Sequence, residues 1–280
     1  MKALRDRQRR IYAQPDQVHK IDHHGDYYRV EAIHLSEPSL QRTPVIYQAG
    51  SSGRGQTFAG RHAECIFISS QSKDAARKLV PEARKAATDQ GRTAAGVKVF
   101  RGLTVVVART ESEAWDLFNE YVLYASPEAG LAHFSSGTGI DFSGYGMDEP
   151  IRAVKNNAIE SLVKTITNPE LEWTKRKLLN QLALGGRYAT VVGSPSEVAD
   201  AMEEWVRETD IDGFNLTRTV SPESFEAFVD LVIPELQQRG IYKTAYAEGT
   251  LREKIFGNGN AHLSAEHIGR SFRSHAHAAV

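Results

Sequence analysis

The residues most suited to binding a ligand lie where a short apolar strand is followed by a helix. Gly50, Ser51 and Ser52 come directly after the predicted strand Val45–Ala49, and Gly53 follows them. Free amides at a helix N-terminus, together with the helix dipole, favour an anion such as a phosphate. The spacing G-x-x-G-x-G differs from the dinucleotide-binding fingerprint. Two interpretations therefore stay open, a phosphate site and a tight turn without a ligand.

Histidine and cysteine give weaker signals. His19, His23 and His24 lie close to Asp22, but their hairpin context and the lack of an H-E-x-x-H spacing argue against a metal site. Cys65 opens an apolar strand and is predicted to be a small buried hydrophobic residue rather than a nucleophile. We therefore expect no metal centre and no thiol chemistry.

Four short apolar strands, each followed by a helical stretch, must position these residues. The strands are predicted at Val45–Ala49, Cys65–Ile68, Leu103–Ala108 and Gly213–Thr217. Helix starts are predicted from capping patterns at Ser72, at Thr110 with Glu113, at Ser194 with Glu197, and at Ser221 with Pro222. Apolar strands that alternate with helices favour a parallel sheet with helices packed outside it.

The stretch between the third and fourth strands is too long for one crossover and is predicted to be an insertion. Its expected elements are a helix over 111–125, a glycine-rich loop over 130–150, helices near 152–166 and 169–184, and a last helix that ends near residue 207. Upstream, residues 23–30 predict a hairpin with its turn at Gly25 and Asp26. Residues 257–280 lack periodicity and are expected to form a flexible tail behind a main domain over 1–256.

Composition bounds the class of protein. The chain has 280 residues, 41% of them hydrophobic and 25% charged, so it can bury a substantial core. Its net charge of −1 gives no basis for expecting nucleic acid or an anionic membrane as a partner. A single cysteine, and no apolar segment after the basic N-terminal residues, predict a cytoplasmic protein without a signal peptide or a membrane span.

Several segments occur in an order that is typical of one family. They are Pro44–Ser52, Phe58–Glu64, Gly139–Pro150, Val192–Asp200, Asp212–Leu216, Val232–Gly240 and Thr250–Arg252. In this order they resemble the bacterial-luciferase-like flavin-dependent monooxygenases, in the branch of nitrilotriacetate monooxygenase component A, dibenzothiophene-sulfone monooxygenase and pristinamycin synthase. Only the C-terminal part of that family is matched. The resemblance implies an α/β fold, the C-terminal half of a (β/α)8 TIM-type barrel with about four βα units and a helical insertion between the last two strands.

The resemblance also implies site residues. The positions that match the family's flavin-phosphate segment, and are expected to bind FMN, are Ala49, Gly50, Ser51 and Ser52. His133 is a candidate for the substrate pocket and a weak candidate for catalysis, with a solvent-exposed histidine as the alternative. Asn215, near the end of the last strand, is a second pocket candidate, with a hydrogen-bonded core amide as the alternative.

The family's chemistry would need partners. Reduced FMN, supplied by a separate NAD(P)H-dependent flavin reductase, places one oxygen atom of O2 into a small organic substrate. Because only half of the barrel is matched, two alternatives stay open, a non-catalytic half-barrel remnant and a phospho-ligand binding module. The first and fourth strands would then be sheet edges, which predicts a homo-oligomer.

Overall fold

The computed structural model describes residues 3–34, 36–49, 52–70, 72–152, 163, 166, 172–184 and 188–272. The chain folds as two compact units. The smaller unit contains Met1–Val45 and Ala247–Ala265, and the larger unit contains Ile46–Tyr246 and Glu266–Val280. Within the described residues, no helix is both long and apolar enough to cross a lipid bilayer.

The elements follow one another in a simple order. The strands are β1 (Ala3–Asp6), β2 (Ile11–Ala13), β3 (Lys20–His24), β4 (Arg29–Ile33), β5 (Tyr47–Ala49), β6 (Cys65–Ile68), β7 (Lys98–Val107), β8 (Ala189–Gly193) and β9 (Gly213–Thr217). The α-helices are α1 (Gly53–His62), α2 (Lys73–Thr88), α3 (Glu111–Tyr124), α4 (Pro127–Thr138), α5 (Lys175–Leu182), α6 (Pro195–Thr209), α7 (Glu223–Ala227), α8 (Ile233–Gln238) and α9 (Leu251–Phe256). A π-helical turn over Phe228–Val232 lies between α7 and α8.

The smaller unit contains two antiparallel hairpins and α9. Strands β1 and β2 form one hairpin, and β3 pairs with β4 so that His24 lies opposite Arg29. The hairpin predicted over residues 23–30 is therefore confirmed. The buried guanidinium of Arg252, in α9, donates to the carbonyl oxygens of Thr43 at 2.8 Å and Pro44 at 3.0 Å. A buried cation thus connects the two segments of chain that make up this unit.

The larger unit is built on a parallel sheet of five strands, with β7 at its centre. Strand β6 pairs with Lys98–Arg101 of β7, β9 pairs with Phe100–Thr104, and β8 pairs with Leu103–Val107. Because residues 100 and 101 pair with both β6 and β9, these two strands lie on opposite sides of β7. Strand β5 pairs with β6. The predicted α/β class with a parallel sheet is confirmed, and the identification with half of a barrel stays a prediction.

The four predicted strands are present, with two corrections. The third strand begins at Lys98, five residues earlier than predicted, and the strand Ala189–Gly193 was missed. Arg101 and Gly102 interrupt the apolar pattern of β7 in the sequence. The fold accommodates both, because Arg101 stacks 3.7 Å from the ring centroid of Trp205 and Gly102 leaves room for the ring of Tyr188.

Capping patterns located most helix starts correctly. Ser72 caps α2, and the capping boxes at Thr110 and Ser194 are both formed. Ser221 does not cap a helix, since Pro222 occupies the N-cap position of α7 without a side-chain hydrogen bond. The helix predicted near 152–166 falls almost entirely outside the described residues, and α5 lies within the one predicted near 169–184.

The predicted glycine-rich loop over 130–150 is wrong in its first part, because α4 covers residues 127–138. Gly130 is used for close helix packing. A Cβ atom there would lie only 3.1 Å from Leu182 at the end of α5. Ser126 caps α4, and Gly139 ends it with a positive φ of 64°.

The described part of the predicted tail, residues 257–272, is mostly exposed but makes specific contacts, and its flexibility stays a prediction. Leu263 and His267 are both buried. Within the larger unit, His267 Nε2 lies 2.9 Å from the carbonyl oxygen of His62, and the amide of Thr93 donates to Glu266 at 2.9 Å. Residues 273–280 lie outside the described part of the chain.

Helices cover the face of the sheet that carries the odd-numbered residues of β7. Ile66, Ile68 and Val99 pack into one apolar cluster with α1 and α2, and Leu103 and Val105 pack into a second with α6 and the π-helical turn. The opposite face carries Ala49, Phe67, Phe100 and Gly213, which form one row across β5, β6, β7 and β9. Toward the carboxyl end of β7 this second face is covered as well, since Thr104 and Val106 are buried. We call its part around the row of Ala49, Phe67, Phe100 and Gly213 the open face of the sheet.

Candidate functional site

The predicted phosphate segment lies where β5 leads into α1. Ala49 is the last residue of β5 and is exposed, and Gly50 and Ser51 lie outside the described residues. Ser52 is the N-cap of α1, and its Oγ accepts a hydrogen bond from the amide of Gly55 at 3.1 Å. That arrangement leaves the hydroxyl proton of Ser52 to donate to a ligand in front of the helix.

The N-terminus of α1 has the charge and the space for an anion. Helices α2, α3, α4 and α6 carry an acidic residue in the first turn, whereas α1 carries none, as is also true of α5. Arg54 is exposed in that turn instead. A Cβ atom added at Gly53 would meet nothing within 4 Å, so the space beside the backbone is open. A phosphate in that space would face the positive end of the helix dipole and the hydroxyl of Ser52, with the cationic side chain of Arg54 in the same turn.

Aromatic side chains line the open face beside this helix terminus. The rings of Tyr47 and Phe100 lie 5.9 Å apart, and those of Phe67 and Tyr188 meet edge to face at 5.7 Å. Tyr188 can lie against the sheet because residue 102 is glycine, where a Cβ atom would overlap its ring. No periodic pattern in the sequence indicates this aromatic wall, because its members come from four separate segments.

Asn215 belongs to the open face. It pairs in register with Gly102 and is exposed, while its neighbours Phe214 and Leu216 turn toward the helices. The alternative of a core amide is therefore not what the structure shows. Gly213 belongs to the same row as Ala49, and Asn215 lies two residues further along β9. The predicted residues Ala49 and Asn215 therefore border the same face of the sheet. Its role as a pocket residue stays a prediction.

His133 is not brought together with these residues by any described contact. It lies in α4 rather than in a loop and is exposed. Leu131 and Phe134 are buried in the cluster that α4 shares with α5, which leaves His133 on the side of the helix that faces solvent. Of the two predictions for His133, the solvent-exposed histidine agrees with the structure better than the pocket residue does.

Cys65 is buried on β6, as predicted. Desolvation raises the pKa of its thiol to about 11, and burial together with the neighbouring thiol raises the pKa of Tyr47 to about 12. Both groups are therefore neutral near pH 7. They contribute an uncharged, partly apolar patch to the open face.

A second polar cluster lies on the hairpin of the smaller unit. His24 Nε2 lies 2.8 Å from Asp22 Oδ1 and 3.6 Å from Glu31 Oε1, and Lys20 lies 3.0 Å from Glu31. All four side chains are exposed. One contact within β3, between His24 and Asp22, and two contacts across the hairpin to Glu31 account for this arrangement without a metal.

Comparison with known proteins identifies one family. A family model described as luciferase-like monooxygenase matches residues 7–213. The chain is 41% identical over 271 residues to long-chain alkane monooxygenase from Geobacillus thermodenitrificans, covering 97% of this chain and 58% of that protein. It is 32% identical over 259 residues to nitrilotriacetate monooxygenase component A from Aminobacter aminovorans, covering 90% of this chain and 57% of that protein.

Solved structures give the same result. A crystal structure of a riboflavin lyase with modified FMN and riboflavin superposes with a TM-score of 0.84 at 36% identity, covering 97% of this chain and 60% of that one. The chain thus spans less than two thirds of the relatives that it matches.

Proposed function

The chain belongs to the luciferase-like monooxygenase family, and from that membership we propose that it is the flavin-phosphate-binding, C-terminal half-barrel of a reduced-FMN-dependent monooxygenase. The whole enzyme would place one oxygen atom of O2 into a small organic substrate and release the other as water. The observation that carries the proposal is the N-terminus of α1, where the Ser52 cap, the open space at Gly53 and the absence of an acidic side chain suit a phosphate.

The residues of this chain would hold the cofactor at two places. Ser52, the first amides of α1 and Arg54 would hold the phosphate, with Ala49, Gly50 and Ser51 contributing the adjoining backbone. The open face, with Phe67, Phe100 and Tyr188, would exclude water from the ring system and the substrate. Bound reduced FMN supplies the electrons that activate O2.

The remaining partners follow from the same membership. A separate NAD(P)H-dependent flavin reductase would supply reduced FMN, as the component A name of one relative suggests. Asn215, exposed on the open face, is the polar side chain placed to orient a substrate. Relatives named for long-chain alkanes and dimethyl sulfide make these two compounds the first substrates to test.

The test of the phosphate site compares two serines that both cap the N-terminus of a helix. Ser52 and Ser72 are both N-caps that accept a backbone hydrogen bond, at 3.1 Å and 3.2 Å. Aspartate is also a good N-cap, so Ser52→Asp and Ser72→Asp should both fold. Only Ser52→Asp places a carboxylate against the phosphate, and loss of a charge-assisted hydrogen bond of about 1.5–3 kcal/mol corresponds to roughly 10- to 150-fold weaker FMN binding.

The measurement is an FMN titration followed by flavin fluorescence. It is made on this chain and on this chain fused to the uncovered portion of the Geobacillus relative. Weakening by Ser52→Asp, with no change for Ser72→Asp, supports the proposal. Equal affinity in both variants would refute the phosphate assignment. Binding of inorganic phosphate at the same site without FMN binding in the fusion would indicate the phospho-ligand module instead.

A further inference from the structure

The described residues include three buried guanidinium groups, which differ in the partners that they have. Arg252 donates to at least four backbone carbonyl oxygens in the smaller unit. Arg92 donates to two backbone carbonyl oxygens, at 2.7 Å and 2.9 Å. Arg101, in β7, donates to a single one within the described part of the chain, the carbonyl oxygen of Ser70 at 2.8 Å. Arg101 is therefore the buried cation with the fewest acceptors of the three.

Most of the hydrogen-bonding capacity of Arg101 is unused. The residue is fully buried, and neither Nε nor Nη1 has a hydrogen-bond partner among the described residues. The Oγ atom of Ser70, which is also buried, has none there either. The ring of Trp205 stacks on the guanidinium at a centroid distance of 3.7 Å, but it covers the flat face and accepts nothing from the N–H groups in the plane. Buried polar atoms are nearly always paired, so these three atoms point to a ligand.

The charge of Arg101 also lacks a counterion. Among the described residues no carboxylate forms an ion pair with it, and burial alone lowers its pKa, to about 10. The group is therefore still a cation at pH 7. Asp74, the acidic residue closest in sequence to Ser70, is exposed and pairs with Arg77. A buried cation without a compensating negative charge strongly destabilises a fold, which favours an anion as the missing partner.

We propose that Arg101 and Ser70 form a binding site for a small monovalent inorganic anion such as chloride. The anion would accept hydrogen bonds from the guanidinium and from the serine hydroxyl, and it would neutralise the buried charge. A water molecule could accept the same hydrogen bonds but would leave the charge uncompensated. Because both residues are buried, the site suits an ion of one or a few atoms rather than an organic phosphate.

This anion site is separate from the proposed phosphate site. Arg101 is one of the odd-numbered residues of β7, which face the helices, and Trp205 of α6 stacks on it there. Phe100, its neighbour, belongs to the open face on the other side of the sheet. Chloride binding at Arg101 would therefore persist in a protein that binds no FMN.

The first measurement is the melting temperature of the chain in potassium chloride and in potassium gluconate at equal ionic strength. Gluconate is too large for an enclosed site and serves as the control for general salt effects. Above the Kd for chloride, each tenfold rise in chloride concentration should raise the melting temperature by about 3–5 °C relative to gluconate, since an ion that binds only the folded state stabilises it in proportion to the logarithm of its concentration. Equal melting temperatures in the two salts would overturn the inference.

Substitutions then test the residues. Arg101→Met removes the charge and keeps an unbranched side chain that can lie against Trp205, so we expect it to fold and to lose the chloride dependence. Ser70→Ala removes one donor and should weaken chloride binding roughly 10-fold. Arg92→Met is the matched control, because the carboxylates of Glu64 and Glu266 raise the pKa of Arg92 against the effect of its burial. Chloride dependence that survives in Arg101→Met, is unchanged in Ser70→Ala or is lost in Arg92→Met would overturn the inference.

Bromide locates the ion in the wild type, where no substitution can disturb folding. Crystals of the chain grown in sodium bromide should show an anomalous peak at hydrogen-bonding distance from Arg101 and Ser70. A water molecule at that position would overturn the inference. So would a bromide peak without any chloride dependence of the melting temperature, because it would indicate an adventitious ion only.

Discussion

Single residues show how the sheet controls reactivity. Cys65 is the one cysteine of the sequence, and burial raises the pKa of its thiol from 9.0 to about 11. Since the thiolate is the reactive form, a pKa two units higher leaves about 100-fold less of it at pH 8. We expect the folded protein to react with a disulfide reagent at least 100-fold more slowly than the urea-unfolded chain. Comparable rates at pH 8 would show that the thiol is neither buried nor protonated.

The same shifts predict how stability depends on pH. The folded-state pKa values of Cys65 and Tyr47 lie above the ordinary values of 9.0 and 10.0, at about 11 and about 12. The unfolded chain therefore loses these protons first, so the stabilisation present below pH 9 is lost as the pH rises toward 12. The buried thiol alone should account for about 1–2 kcal/mol between pH 8 and pH 10.5. Urea unfolding of the wild type and of Cys65→Ala at both values checks this, and the variant should lose less stability.

At the scale of elements, α1 and α2 are held close together by a glycine. A Cβ atom at Gly60 would overlap the carbonyl group of Ala86, whereas one at Gly53 would meet nothing within 4 Å. Both glycines lie in α1, which makes Gly53→Ala a matched control for Gly60→Ala. Gly60→Ala should destabilise the fold by about 1–3 kcal/mol through overpacking. Gly53→Ala should be neutral or slightly stabilising, as thermal unfolding would show. Equal melting temperatures would contradict the close approach of the two helices.

The elements that were predicted correctly depend on local signals. Ser72, Thr110 and Ser194 cap their helices through bonds three residues away, which a sequence displays directly. The first half of β7 and the helix α4 depend on distant partners instead. Arg101 is tolerated in a strand because Trp205 covers it, and Gly130 is tolerated in a helix because Leu182 approaches it.

The residues of the candidate site also fall into two groups, those that a local sequence pattern indicates and those that depend on distant partners. Ser52 and its neighbours could be found from the strand-to-helix junction, because that signal is local. The wall formed by Phe67, Phe100 and Tyr188 could not, because it depends on strand register and on a tyrosine far along the chain. His133 was misplaced because its segment resembled a loop, whereas it lies on the exposed side of α4.

At the scale of the whole molecule, three strands of the sheet, β5, β8 and β9, each pair with a single neighbour in the described residues. Strand β5 pairs with β6 alone, and β9 pairs with β7 alone. Edges of this kind promote association, so we expect the chain by itself to form oligomers at micromolar concentration. Light scattering and hydrogen exchange test this together. A monodisperse monomer in which Tyr47–Ala49 and Gly213–Thr217 are both protected would contradict it.

Activity should depend on closure of the barrel. The open face leaves Tyr47 48% exposed and Asn215 exposed, so water can reach the site where oxygen would be activated. Productive oxygenation needs a dry pocket, and an open one diverts the electrons to hydrogen peroxide.

With a flavin reductase, NADH, FMN and O2, the chain alone should release hydrogen peroxide without oxygenated product. The fusion to the uncovered portion of the Geobacillus relative should yield product in proportion to the NADH consumed. Ser52→Asp should abolish that coupling and Ser72→Asp should keep it. Coupled oxygenation by the 280-residue chain alone would show that its sheet already closes the pocket.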